Sequence, residues 1–180
     1  MQKNNRFFIC ICVFFLSSVL FAESLPTGYG NIHLGMSVDS VKSALKKVPD
    51  FGYRGERDVS LSPESKEVII ETDASFLQQS FFDRCWFQFS EKKLYIITLN
   101  LNPSRIDYYS VFKKLCEKYG NPDSLNPDKS VWQTDSVIMS LEKPLALKYV
   151  DAAEFKKLQD SSKVESSETE KSRDKFLEGL

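Results

Sequence analysis

Residues 107–122, DYYSVFKKLCEKYGNP, carry the clearest secondary-structure signal in the chain. Asp107 occupies the position of an N-cap, because its carboxylate can accept a hydrogen bond from the first helical turn. Gly120 can adopt the positive φ that ends a helix, and Pro122 prevents continuation beyond it. The stretch therefore predicts a helix with one apolar stripe, which a second layer must cover. This stripe consists of Tyr108, Val111, Phe112, Leu115, Cys116 and Tyr119.

A second helix is predicted to begin after Gly35 and Met36, with Ser37 as its N-cap. Apolar residues again recur at the helical period, and Pro49 marks the end of the helix. The chain thus contains two amphipathic helices whose N-caps are 70 residues apart. The apolar side of the earlier helix is formed by Val38, Val41, Ala44, Leu45 and Val48.

The layer that covers these helices is predicted from residues 81–101, where aromatic and β-branched side chains are concentrated. Residues 81–89 and 94–101 form two strands, and the polar segment 90–93 is the turn between them. Because short turns connect the strands, the sheet is expected to be antiparallel. The predicted fold class is α+β, with two main helices packed on one face of an antiparallel sheet. Shorter strands are predicted at 67–72, 131–134, 137–141 and 146–150.

The face of this hairpin opposite the helices carries an apolar strip. Period-two alternation places Phe82 and Trp86 there, together with Ile96 from the neighbouring strand. As a functional site, the strip would bind a protein or a lipid-like ligand. As structure, it would be core covered by another part of the chain. The sequence leaves both interpretations open.

Both ends of the 180-residue chain differ from its middle. Residues 1–22 combine Lys3 and Arg6 with an apolar run and a small final residue, which is typical of a secretory signal peptide. Residues 159–180 are mostly serine, glutamate and lysine, and this composition predicts a disordered polar tail. Residues 25–158 are then expected to form a single domain.

The charge of the exported chain is nearly balanced. Removal of the signal peptide leaves 22 basic and 25 acidic residues, a formal charge of −3. No block of lysine and arginine stands out, so nucleic acid and anionic membranes are poor candidates for partners. We expect an exported protein, periplasmic or secreted, with no transmembrane segment after cleavage. The sequence leaves the oligomeric state open.

Two cysteines remain after cleavage, Cys85 on the predicted hairpin and Cys116 on the apolar stripe of the later helix. An oxidising compartment would permit a disulfide between them. The alternative is two buried thiols that act as small apolar side chains. We favour the thiols, because spacing alone does not establish the geometry of a bridge.

Groups that could perform catalysis or bind a metal are sparse in this sequence. His33 is the single histidine, and the alternation around it directs its side chain outward, away from any nucleophile that would need a base. The sequence contains neither a cluster of metal-ligand residues nor a glycine-rich phosphate loop. We therefore expect a protein that is not an enzyme and that has no cofactor.

Two short segments carry a family resemblance. Residues 35–41, GMSVDSV, resemble the first part of the motif of the SmpA/OmlA (BamE) outer-membrane-assembly proteins, and residues 120–122 followed by Trp132 resemble its later part. The two parts fall in different halves of this chain. This is consistent with a tandem pair of units, 30–105 and 106–158, similar in outline to the duplication in β-lactamase-inhibitor-protein-like folds. The resemblance implies a BamE-like domain, and a role in outer-membrane assembly by fold analogy alone.

These observations support two hypotheses about function. The first is an exported, non-enzymatic envelope protein that binds another envelope protein through a sheet edge or an exposed aromatic face. The alternative is a binding protein for a small apolar ligand held between the helices and the sheet.

Overall fold

The computed structural model describes residues 24–61 and 67–179. The predicted signal peptide, residues 1–22, lies outside the described residues. The helices are α1 (Val38–Lys46), α2 (Tyr108–Tyr119) and α3 (Ala152–Leu177). The strands are β1 (Gly28–Tyr29), β2 (Ile32–His33), β3 (Val59–Leu61), β4 (Val68–Asp73), β5 (Phe82–Ser90), β6 (Lys93–Leu101), β7 (Ser124–Leu125), β8 (Lys129–Gln133), β9 (Val137–Glu142) and β10 (Ala146–Asp151).

One antiparallel sheet dominates the described part of the chain. It has eight strands in the order β3-β4-β5-β6-β10-β9-β8-β7, and the remaining strands, β1 and β2, pair only with each other. The strands β3 to β6 follow one another as neighbours, as do β7 to β10. The two sets meet where β6 pairs with β10, from Asn100 opposite Ala146 to Ile96 opposite Val150.

The predicted α+β class is wrong, because the fold is mostly β. An eight-stranded antiparallel sheet is the principal structure, so the fold is richer in β structure than the predicted packing of two main helices on one face of a sheet. Two of its strands, β3 and β7, lie outside the segments predicted to form strands. Edge strands of two or three residues leave no periodic pattern long enough to recognise.

The order of elements is the same in the two halves of the sheet. Helix α1 precedes the meander β3 to β6, and helix α2 precedes the meander β7 to β10. The change from one half to the other falls between Leu101 and Tyr108, close to the boundary predicted between repeats 30–105 and 106–158. Common descent of the two halves stays a prediction.

The starts of the helices follow the capping chemistry read from the sequence. The Ser40 backbone N–H donates to Ser37 Oγ at 3.3 Å, and the Ser110 backbone N–H donates to Asp107 Oδ1 at 2.9 Å. At the end of α2, Gly120 has φ +81°, and its N–H donates to the Cys116 carbonyl at 3.0 Å. Local sequence therefore determines where these helices begin and where α2 stops.

One face of the sheet and the apolar sides of α1 and α2 form a continuous hydrophobic core. Side chains from both halves contribute, and several of them are completely inaccessible to solvent. Fully buried members include Val41, Phe87, Ile97, Leu99, Met139 and Leu141. The burial of large apolar side chains is the main source of stability expected for a domain of this size.

Two irregularities in the β5–β6 pairing change the faces of individual side chains. Phe82 lies opposite Leu101 and Cys85 opposite Leu99, so β5 contains one more residue than β6 between these pairs. Such a bulge reverses the alternation, and Phe82 faces the helices rather than the opposite side. At the other end of the hairpin, Phe89 pairs with Leu94, and Leu94 is likewise buried in the core.

Helix α3 includes most of the segment for which the composition predicts a disordered tail. Residues 159–177 continue the helix that starts at Ala152, so the prediction of disorder for 159–180 is corrected as far as Leu177. Lysine, glutamate and glutamine have high helix propensity, which a composition-based prediction of disorder does not weigh. The start of the helix is capped by Asp151, whose Oδ1 accepts from the Glu154 N–H at 3.0 Å.

The turn between β5 and β6 yields a prediction about stability. Glu91 and Lys92 both have positive φ, 48° and 66°, although neither is a glycine. Replacing Lys92→Gly is expected to raise the free energy of unfolding by about 0.5–1 kcal/mol, because glycine adopts this φ without a Cβ clash. Denaturant titration measures this change.

The matched control for this variant is Lys93→Gly. It removes the same side chain one residue later, inside β6, where glycine weakens a strand and lowers the free energy of unfolding. Equal effects of the two variants would contradict the role assigned to φ at Lys92.

Candidate functional site

The sheet face opposite α1 and α2 contains a cleft of about 410 Å³, which we call the sheet-face cleft. Its floor consists of two rows of side chains that run across β5, β6, β10 and β9. Lys129 of β8 and Phe155 of α3 complete the lining. In strand order, the rows are Trp86, Thr98, Lys148 and Ser140, and then Gln88, Ile96, Val150 and Ile138.

Strand alternation is what brings these residues to one face. Each of the four strands points every second side chain into the core, and the residues between them point into the cleft. In β9, for example, Met139 and Leu141 are fully buried in the core, whereas Ile138 is half-buried on the cleft side. The floor of the cleft therefore mixes apolar and polar side chains. Trp86 is the largest aromatic residue in it.

Helix α3 lies over one end of the cleft through its first turns. Ser90 Oγ donates to Glu154 Oε1 at 2.7 Å, and Lys157 Nζ donates to Glu91 Oε1 at 3.1 Å. Both contacts attach the helix to the turn of the β5–β6 hairpin. Phe155, between these two anchors, lines the cleft and remains 42% exposed.

A charged cluster lies beside the cleft on the second half of the sheet. Glu142 accepts from Lys129 Nζ at 2.9 Å, from Lys148 Nζ at 3.1 Å and from Ser140 Oγ at 2.9 Å. Burial by itself raises the pKa of the Glu142 carboxyl, but these three hydrogen bonds outweigh it and lower the pKa to about 2. The carboxylate is therefore ionised at neutral pH, and two lysines around one carboxylate give the cluster a formal charge of +1.

The structure separates the three residues that the sequence placed on one partner-binding face. Trp86 and Ile96 both line the sheet-face cleft. Phe82 does not, because the bulge in β5 turns it to the other side. There it is 4% exposed, and its ring stacks on Phe51 with centroids 4.4 Å apart. The face predicted from Phe82, Trp86 and Ile96 is thus corrected to exclude Phe82.

Half of the cleft was not found from the sequence. Ile138, Lys148 and Val150 lie on strands that the sequence did predict, and their alternation with core residues was visible. What the sequence did not show is that β10 pairs with β6, which brings the second hairpin beside the first. The pairing of β10 with β6 joins segments that are far apart in the sequence, and no local sequence pattern predicts it.

Comparison with known proteins identifies the family of this chain. A family model described as the TP0088 domain matches residues 27–161, three quarters of the chain. The chain belongs to the TP0088 domain family. A search of curated proteins and a search of solved structures gave no match. The resemblance to the SmpA/OmlA (BamE) proteins stays a prediction.

The TP0088 domain of this chain contains two free thiols. Cys85 lies in the core with no exposed surface, and burial raises its pKa to about 12. Cys116 is half-buried on α2, and burial raises its pKa as well. Helix α2 packs on the second half, where Phe112 contacts Trp132, whereas Cys85 lies in the first half. The disulfide considered between Cys85 and Cys116 is absent, and the thiols are apolar packing groups.

The remaining sequence candidates lie away from the cleft. His33 is exposed on β2, as its alternation predicts, and its Nδ1 is 3.2 Å from Thr27 Oγ1. Within residues 24–61 and 67–179, no group of three or more potential metal ligands comes together. Nor does that part of the chain include a helix with the length and apolar character needed to cross a membrane.

The Glu142 cluster gives a prediction about stability and pH. Glu142→Gln is expected to lower the free energy of unfolding at pH 7 by about 1–2 kcal/mol, because it removes a charge that two lysines surround. The pKa in the folded state lies below the ordinary value, so ionised Glu142 favours folding above about pH 4.5. That contribution is lost as the pH falls towards 2.

Urea titrations of both proteins at pH 7 and near pH 2.5 measure this difference. The difference in free energy of unfolding between the wild type and Glu142→Gln is expected to be smaller at the lower pH. Glu117→Gln is the control, since it removes an exposed carboxylate that pairs with Lys114 at 3.2 Å. A difference in free energy of unfolding that does not depend on pH would contradict a stabilising role for ionised Glu142.

Proposed function

We propose that this protein is an exported, non-enzymatic envelope protein that binds another envelope protein through the sheet-face cleft. The observation that carries the proposal is the half-buried apolar floor formed by Trp86, Ile96 and Ile138 on a continuous sheet. Apolar patches framed by polar residues are typical of protein-binding surfaces, and tryptophan is among the residues that contribute most to binding.

The geometry of the cleft favours a protein segment as its occupant. The floor crosses four strands, and Phe155 stands at one end as an aromatic wall. A helix or an extended segment of a partner can place apolar side chains on Trp86 and Ile96. The Glu142 cluster carries a formal charge of +1 beside this floor, so an acidic side chain on the same partner segment is complementary to Lys148.

Support for a binding role rather than catalysis comes from the chemistry of the lining. The lysines beside the cleft are already paired with Glu142, and their charge is suited to recognition. His33 lies on β2, outside the cleft lining. Ser140 of the lining donates to Glu142 at 2.9 Å, but a carboxylate whose pKa is lowered to about 2 is too weak a base to activate a hydroxyl.

Support for export comes from the sequence of residues 1–22. A basic start, an apolar run and a small final residue predict cleavage by a signal peptidase. The mature formal charge of −3 and the absence of basic blocks in the sequence argue for a protein partner over nucleic acid. The intact mass of the chain recovered from cell envelopes tests export directly, because cleavage removes about 22 residues.

Photo-crosslinking in cells tests the binding surface. A photoreactive phenylalanine analogue at Ile138 is expected to crosslink to a single envelope protein, while the same analogue at Lys113, on the exposed side of α2, is not. The variant Trp86→Ala is expected to weaken crosslinking at Ile138 at least tenfold, since buried aromatic anchors contribute about 2 kcal/mol or more at interfaces.

The matched control is Tyr109→Ala, which removes an aromatic side chain that is 70% exposed on α2. It is expected to leave crosslinking at Ile138 unchanged. Circular dichroism establishes that both variants are folded. Undiminished crosslinking in folded Trp86→Ala, or equal loss in both variants, would refute binding through the sheet-face cleft.

A further inference from the structure

The sheet face opposite α1 and α2 carries a charged cluster in each half of the domain. The Glu142 cluster of the second half has a formal charge of +1. In the first half, Arg84 Nη1 is 3.7 Å from Glu71 Oε1, and Arg84 Nε is 3.9 Å from Asp73 Oδ2. We call this group the Arg84 cluster, and its two carboxylates around one guanidinium give it a formal charge of −1. The two halves of one face are therefore opposite in charge.

The ion pairs of the Arg84 cluster are long and open to solvent. Both distances exceed the length of a hydrogen bond, and the Arg84 side chain is 56% exposed. Exposed pairs of this kind contribute little to folding. The guanidinium can therefore donate to a carboxylate of another molecule, and a bidentate contact of arginine with a carboxylate is a strong one.

The charges alternate across the sheet in a regular order. The central strands are β6 and β10. Arg84 of β5 and Glu142 of β9 each lie one strand from this pair, on opposite sides. Asp73 of β4 and Lys129 of β8 each lie two strands from it. Each charge therefore has an opposite charge at the same distance on the other side of the centre.

These charged residues also lie at one level along the strands. Glu142 pairs with Ala146, and Ala146 pairs with Asn100 of β6. Asn100 lies opposite the bulge in β5 that contains Arg84. Helix α3 contacts the other end of β5, at the hairpin turn. The charged row is therefore at the end of the face that the first turns of α3 leave open.

We propose that this face binds a second copy of the same chain, around a twofold axis parallel to the β6–β10 pair. The proposal rests on the proposed function, that the face binds an envelope protein, and it names that protein as a second copy. Rotation about this axis places the first half of each copy over the second half of the other. Arg84 then faces Glu142 of the second copy. Asp73 faces Lys129 of the second copy in the same way, so unlike charges meet.

The apolar centre of the face fits the same arrangement. Ile96 and Val150 pair across the central strands, so each lies over the other residue in the second copy. Aligned sheets pack about 10 Å apart, and side chains from both faces fill this space. Lys148 lies near the axis, and its bond to Glu142 at 3.1 Å offsets its charge there. A twofold axis across the strands would place each half over its own counterpart, with net charges of the same sign, and is disfavoured.

The area of the face is sufficient for a reversible dimer. Strands β4 to β6 and β8 to β10 are about 4.8 Å apart, and the rows of side chains extend about 20 Å along them, which gives about 600 Å² of flat surface per copy. The total of about 1,200 Å² is at the lower limit for specific protein interfaces. We therefore expect a dissociation constant in the micromolar range.

Sedimentation equilibrium of the purified exported chain tests the proposal. Lys129→Glu is expected to weaken dimerisation about tenfold, because a like charge then faces Asp73 twice in each dimer. Adding Asp73→Lys to this variant is expected to restore dimerisation. Within one chain the two positions are about 24 Å apart across the sheet, so a rescue arises only between copies. Lys113→Glu, an equal change of charge on the exposed side of α2, is the control and is expected to have no effect.

Photo-crosslinking in cells identifies the partner without any change of charge. Ile138 lies over Gln88 of the second copy, because the two residues occupy matching positions in β9 and β5. The photoreactive analogue at Ile138 is therefore expected to give a product of twice the chain mass, joined to β5. If a charge variant fails to fold by circular dichroism, this crosslink decides the question.

The outcomes separate this proposal from the proposed function. A crosslink from Ile138 to a different protein, or a chain that stays monomeric at about 0.1 mM, would overturn the second copy as the partner and leave the proposed function standing. A dimer that folded Lys129→Glu does not weaken, or that the folded double variant does not restore, would also overturn it. A crosslink to no protein at all would refute both.

Discussion

The pairing of β6 with β10 is the interaction on which the rest of the structure depends. It joins two four-stranded meanders into one sheet, through a ladder from Asn100 and Ala146 to Ile96 and Val150. A meander of this size buries only one face well, and its last strand would otherwise be an exposed edge. Joining the edges gives each half a neighbour and places Leu99 and Leu147 side by side at the centre of the core.

Local chemistry made part of this structure predictable. Ser37 and Asp107 act as N-caps, and Gly120 ends α2, because capping depends on a few adjacent residues. The β5–β6 hairpin was predictable for the same reason. Features that depend on pairing between strands were not predictable. One is the bulge that turns Phe82 into the core, and another is the pairing of β6 with β10 that brings Val150 beside Ile96. The candidate site was therefore found in part, through Trp86 and Ile96.

Two clefts on opposite faces share the same central strands. The sheet-face cleft uses the outward side chains of β6 and β10, such as Ile96 and Val150. A second cleft, of about 280 Å³ on the helix side of the sheet, uses the inward side chains Leu99 and Leu147. Period-two alternation thus places two clefts on one strand pair. Because both clefts share the backbone of β6 and β10, a change in the spacing of these strands would alter the shape of both clefts.

Helix α3 contacts the β5–β6 turn near its start, through Glu154 and Lys157, and extends well beyond these contacts. Its 26 residues span about 39 Å at 1.5 Å per residue. A tilt of about 10° at the base would displace the far end by about 7 Å over this length. Because Phe155 lies near the base of the helix, such a tilt would move Phe176 and Leu177, which are exposed near its far end, much further than Phe155 itself.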